Sequence, residues 1–102
     1  MSLYIPRETI EKLETVITSD IDPTADVVAF AFTQDDDRPS TWTAGTWTST
    51  WSGGRTTAVT PTIGVTGSDA TVELAVGTWH AWVRVTDNPE VPLRRCGVVR
   101  LS

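Results

Sequence analysis

From residue 78 to residue 86 the chain alternates without a break. Trp79, Ala81, Val83 and Val85 share one parity, and Thr78, His80, Trp82 and Arg84 share the other. A period of two is the pattern of a strand whose side chains point alternately to two faces. It places Trp79 and Val83 in a core and turns Trp82 and Arg84 outward. A second run, from Asp26 to Thr33, puts Val28, Phe30 and Phe32 on one face and Val27, Ala29 and Ala31 on the other. A strand that is apolar on both sides is either central in its sheet or covered by another subunit. Phe30 and Phe32 are therefore core residues.

The same reading extends over the rest of the chain. Val72, Leu74 and Val76 oppose Thr71 and Glu73, and a last strand runs from about Leu93 to Leu101, with Val99 and Leu101 opposed to Val98 and Arg100. Two prolines make Asp87 to Pro92 a loop, since proline cannot donate to a ladder. The threonine- and tryptophan-rich stretch from Thr41 to Trp51 favours a pleated, half-buried surface. Ser52-Gly53-Gly54 then reads as a hairpin turn into Arg55 to Thr60. Asp35 to Ser40 and Gly64 to Asp69 read as polar connections. The count is about six or seven short strands at the spacing of an antiparallel β-sandwich. The first residues differ: Pro6 to Leu13 can form a helical turn or two. Residues 1–12 are expected to be an N-terminal arm, and residues 13–102 the sandwich domain, with a first strand from Leu13 to Ser19.

At 102 residues the chain is long enough for one domain with a genuine core. Its net charge is −5, and only one of its eight basic residues is a lysine. Nucleic-acid binders usually carry the opposite sign on a concentrated face, so no nucleic-acid partner is expected. A single cysteine, Cys96, excludes an intramolecular disulfide. Met1 to Arg7 lacks the apolar stretch of a secretory signal, and no window supplies the ~20 apolar residues that span a bilayer. Cytoplasmic synthesis without a membrane partner is the expectation.

Catalytic chemistry finds little to work with. His80 is the single histidine. His80 with Cys96 is the one conceivable base and nucleophile pair, and a strand-face histidine beside an unrelated cysteine explains both residues. Gly53-Gly54 lacks the strand-to-helix setting and the lysine of a phosphate loop. Asp35, Asp36 and Asp37, with Asp20, Asp22 and Asp26 upstream, lack the ligand spacing of a calcium loop. No catalytic residue, metal site or cofactor is expected.

Five tryptophans in such a chain need an account. Trp42, Trp47 and Trp51 lie in a segment too polar to bury all three, and Trp47 and Trp51 share parity. Such rings either pack across a threonine surface or anchor an interface, where tryptophan and arginine are enriched. A sugar platform is less favoured, because Asn88 and Gln34 are the only side-chain amides available to surround a ring. The candidate interface residues are Tyr4, Ile5 and Ile10 on the arm, with Trp47, Trp51, Trp82 and Arg84.

Glu73 to Trp79 resembles the Gly-x-Tyr approach to the penultimate strand of immunoglobulin-like domains, with tryptophan where tyrosine is usual. That exchange removes the hydroxyl that bonds the backbone at the sandwich corner. Three longer stretches carry a wider resemblance: Asp22 to Phe32, Trp42 to Trp47, and Gly77 to Pro92 followed by Arg94-Arg95-Cys96-Gly97. Together they are similar to small proteins encoded among the virion structural genes of tailed bacteriophages of actinobacteria, and to immunoglobulin-like modules of phage baseplates and fibres. The resemblance spans about Leu13 to Ser102. It implies an immunoglobulin-like sandwich in the virion, at the head–tail connector or tail or as a capsid decoration protein. Its implied partners are other virion proteins and copies of itself. The arm would then dock over a neighbour and be dispensable for folding. The alternative is an adhesin module that binds a glycan or protein on the host surface.

Overall fold

The structure is a computed structural model, described here over residues 2–6, 9–19, 22–34, 39, 41–85 and 94–102. Eleven strands make up the described chain: β1 (Ser2–Ile5), β2 (Ile10–Glu11), β3 (Glu14–Thr18), β4 (Val28–Thr33), β5 (Thr43–Ala44), β6 (Thr46–Trp47), β7 (Arg55–Val59), β8 (Ile63–Val65), β9 (Val72–Leu74), β10 (Gly77–Val85) and β11 (Arg94–Leu101). No helix occurs among the described residues, so the fold class is all-β. The strand count exceeds the six or seven expected because the run from Thr41 to Trp51 is split into β5 and β6, and because β1, β2 and β8 lie where no strand is expected.

One sheet has five strands in the order β1-β11-β10-β4-β5, and two three-stranded sheets have the orders β2-β8-β9 and β3-β7-β6. The three-stranded sheets lie over different halves of the larger one. Ile5, Ala81, Val99 and Leu101 of the five-stranded sheet pack with Leu13, Ile63, Val65 and Leu74. Val28, Phe30, Val83 and Val85 pack with Ile17 and Ala58. Phe32 and Cys96 touch both clusters and join them. The parity of β10 is thus satisfied as its sequence requires, with Ala81 and Val83 fully buried.

The two small sheets meet at a seam between Leu13 and Thr60. The Thr60 N–H donates to the Leu13 carbonyl at 3.0 Å, and the Leu13 N–H donates to the Thr60 hydroxyl at 2.9 Å. The Thr60 hydroxyl is thus the acceptor for the Leu13 N–H, and Pro61, which has no N–H to donate, does not continue the ladder. Thr60 is 1% exposed, which makes this hydroxyl a buried structural group.

Two glycine positions explain how the chain turns. Gly53 and Gly54 have φ of 61° and 80°, and Ser52 and Arg55 exchange backbone bonds of 2.9 and 3.1 Å. Positive φ at both central residues defines the tight hairpin turn expected there. Gly45 separates β5, paired with β4, from β6, paired with β7. The chain changes sheets at this residue. A Cβ on Gly45 would collide with the Phe30 ring and lie 2.6 Å from the Val59 carbonyl oxygen.

Several expectations need correction. Residues 2–5 and 10–11 are part of the sheets and not an arm separate from them. Ser2–Ile5 pairs in parallel with Val98–Leu101, and Ile10 and Glu11 pair with Gly64 and Ile63. Ile5 is completely buried, so deleting this segment would open the core. Where a helical turn is expected, Thr9 bonds the Pro6 carbonyl through its N–H and hydroxyl, and Ile10 and Glu11 are strand. Gly64 belongs to the buried strand β8 and not to a connection, because Ile63 and Val65 beside it face the core. Val76 leaves the face of Val72 and Leu74, since β9 stops at Leu74, and it is 52% exposed. The loop Asp87 to Pro92 and the acids Asp35 to Asp37 lie outside the described residues.

The seam gives a direct test. Thr60→Val keeps the side-chain volume and leaves the buried Leu13 N–H without an acceptor, which should cost about 1–3 kcal/mol. Urea unfolding should show this loss for Thr60→Val and little change for Thr60→Ser. An unchanged midpoint for Thr60→Val would contradict the seam.

Candidate functional site

The outer face of the five-stranded sheet is built from the residues that the core does not use. On β10 these are Thr78, His80, Trp82 and Arg84, and the neighbouring strand β4 offers Ala29 and Ala31. Ala31 pairs with Trp82, and Ala29 lies between Arg84 and Ala44. Both β4 alanines are nearly inaccessible, at 6% and 2% exposure, although they face away from the core. Large side chains beside them account for this. The Arg84 guanidinium lies 4.3 Å from the centre of the Trp42 ring, and the Arg95 guanidinium lies 5.5 Å from the centre of the Trp82 ring. Both distances fall within the range of cation–π attraction. The Trp82 indole N–H donates to the Thr33 hydroxyl at 2.9 Å, which fixes the ring along the sheet.

Arg95 reaches this face through a β-bulge. Ala81 pairs with Gly97 but Trp82 pairs with Arg95, so Cys96 is an extra residue in β11. Without it, Arg95 would share the inward parity of Val99 and Leu101. The bulge reverses the parity, as inserting one residue must. It turns Cys96 to the core and Arg95 to the outer surface.

Among the described residues charge is divided unevenly between the two layers. Arg84, Arg94, Arg95 and Arg100, four of the eight basic residues, lie on the strands of the five-stranded sheet, and none of the 13 acidic residues does. The opposite layer carries the exposed carboxylates Glu11, Glu14 and Glu73 together with the exposed bases Lys12 and Arg55; Asp69 lies in one of its connections, and Asp22 in the connection that runs between the layers. Asp22 accepts bonds at one oxygen from the hydroxyl and the N–H of Thr24. These bonds, the hydroxyl first, hold its carboxyl below its ordinary pKa.

The predicted interface residues divide. Trp82 and Arg84 meet on the outer face as expected. Trp47 and Trp51 instead brace the connection from β3 to β4 at its two ends. Trp51 donates its indole N–H to the Ser19 carbonyl at 3.1 Å, and Trp47 donates to the Asp26 carbonyl at 2.9 Å. Tyr4 is 61% exposed, with its hydroxyl 2.6 Å from that of Ser102. Ile10 is 46% exposed on the opposite layer, and Ile5 is in the core. Of the predicted core residues, Phe30 and Val83 are fully buried, and Phe32 and Trp79 pack half-buried against the cluster below them. Sequence reasoning missed Trp42 and Arg95 as members of the surface. Trp42 shares the parity of Ala44, which was a usable signal, whereas the bulge that redirects Arg95 leaves none beyond Gly97.

His80 and Cys96 lie on opposite sides of the five-stranded sheet, His80 with Trp82 and Arg84 and Cys96 against the core. They do not form a nucleophile and base pair. Among the described residues, no three histidine, cysteine or carboxylate side chains converge on a point. Comparison with protein-family models, curated proteins and solved structures finds no match.

Trp79, at the entry to β10, is tied to the backbone just upstream of it. The Trp79 indole N–H bonds the Ala75 carbonyl, four residues upstream, at 2.9 Å. Trp79→Phe keeps most of the ring contact and loses this bond, so urea unfolding should register a loss of about 0.5–1.5 kcal/mol. Trp79→Ala should lose more. Equal stability of the Phe variant would mean that the bond contributes nothing.

Proposed function

We propose that this chain is a non-catalytic, immunoglobulin-like β-sandwich that serves as a structural component of a tailed-phage virion. In this reading it is held in place by protein–protein contacts through the outer face of the five-stranded sheet. The strand order supports the finer fold assignment. The order β11-β10-β4-β5 has the connectivity of strands G-F-C-C′ in a variable-type immunoglobulin sheet, and β3-β7-β6 has that of B-E-D. Trp79, at the start of β10, occupies the place of the corner tyrosine on strand F and bonds backwards as that tyrosine does. Ala81, two residues further on, stands where disulfide-bearing members carry their second cysteine.

The observation that carries the function is the pairing of Trp42 with Arg84 and Trp82 with Arg95 across one exposed sheet face. Tryptophan and arginine dominate the energetics of protein interfaces, because each combines large area with directional donors. The pairs keep both residue types ordered before docking, which lowers the entropy lost on association. The resemblance of the sequence to virion proteins supplies the setting.

Quantitative mass spectrometry of purified particles tests this reading. The chain should be present at a fixed ratio to the major capsid protein. Particles made with Trp82→Ala should lose it, while the variant accumulates folded in the lysate. Absence of the wild-type chain from particles would overturn the virion assignment and bring the host-surface binding role forward.

A further inference from the structure

The uneven division of charge between the layers bears on what covers the outer face. We infer that its occupant is a second copy of this chain, docked through the acidic layer on the opposite side of the sandwich. The inference rests on the reading of the outer face as an assembly surface.

Three features of the molecule lead to it. The outer face presents Arg84, Arg95 and Arg100 with Trp42 and Trp82, and the strands of that sheet carry no acidic residue. Among the described residues the opposite layer presents Glu11, Glu14 and Glu73 with Asp69 in a connection, against the two bases Lys12 and Arg55, so it is net acidic, and it leaves two apolar side chains exposed, Ile10 at 46% and Val16 at 49%. Each side therefore offers what the other needs: aromatic rings and guanidinium groups on one, aliphatic groups and carboxylates on the other. Complementary potentials of this kind set register and exclude wrong pairings.

Geometry then selects the mode. Docking two copies through the same outer face would bring two arginine-bearing surfaces together, which like-charge repulsion opposes. Docking face to back joins unlike surfaces and leaves each copy with one free face and one free back. Such a heterologous contact propagates into a ring or an open stack and does not stop at a dimer. A polyanion such as single-stranded nucleic acid is the poorer occupant. It needs an extended run of phosphate contacts, and the chain as a whole carries a charge of −5.

Sedimentation velocity on the full chain, over a concentration series at low and high salt, tests the inference. The wild type should form species larger than a dimer that dissociate as salt rises. Arg84→Glu on the face, and Glu11→Arg with Glu14→Arg on the back, should each weaken association at least tenfold, with unchanged near-ultraviolet circular dichroism. Mixing the two variants should restore a one-to-one complex that does not grow, because one intact face meets one intact back. A wild-type dimer unaffected by the Glu11→Arg, Glu14→Arg substitutions would overturn the face-to-back mode. A wild type that stays monomeric and binds polyglutamate instead would overturn self-association in favour of a different acidic protein. Fixed-ratio incorporation of such a monomeric chain into particles would leave the virion role standing and this inference refuted.

Discussion

Where β5 becomes β6 the chain crosses from one layer to the other within a single residue, and the Phe30 ring leaves no room there for a side chain. Gly45 is the residue at this crossing, and its N–H donates to the Val28 carbonyl at 2.8 Å as it leaves the five-stranded sheet. Phe30 is in turn fully buried among Ile17, Val28, Ala58, Val83 and Val85. A close-packed interior transmits such a constraint, because displaced volume has nowhere to go. The spacing of the layers, the inward parity of β4 and β10, and hence the outward parity that makes the outer face all depend on this fit.

The surface follows from the core as its complement. Once Ala81, Val83 and Val85 are fixed inward, Trp82 and Arg84 have no choice but to face out, and Ala29 and Ala31 form a floor on which large side chains can lie flat. The bulge at Cys96 adds Arg95 to the same face. An exposed tryptophan in water is a liability. The guanidinium groups over Trp42 and Trp82 cover part of each ring and leave both half-buried. The remaining tryptophans are internal braces. Trp47 and Trp51 tie down a connection, Trp79 closes a corner, and each does so through its single N–H.

Much of this was legible in the sequence where the period of two ran long. The strands from 28 to 33, from 77 to 85 and from 94 to 101, the turn at Gly53-Gly54, and the inward and outward parity of Phe30, Val83, Trp82 and Arg84 all follow from alternation. The short elements were not legible. β1, β2 and β8 have two to four residues each, too few to show a period, and their apolar residues looked like an arm or a loop. The roles of Trp47 and Trp51 were missed for another reason. A ring whose edge bonds a backbone carbonyl far along the chain has the same local sequence as one that waits for a partner. The bulge escaped because parity arguments assume an unbroken ladder.

The central claim is that the core fixes a cation-capped aromatic face on the five-stranded sheet. Proton NMR of the isotope-labelled chain reads this face directly, through the ring currents of its two outward tryptophans. The side-chain protons of Arg84 should be shifted upfield by Trp42 and those of Arg95 by Trp82, with nuclear Overhauser contacts between the Trp82 indole N–H and the Thr33 side chain. Random-coil shifts for both arginines, with no contact from Trp82 to Thr33, would contradict the account.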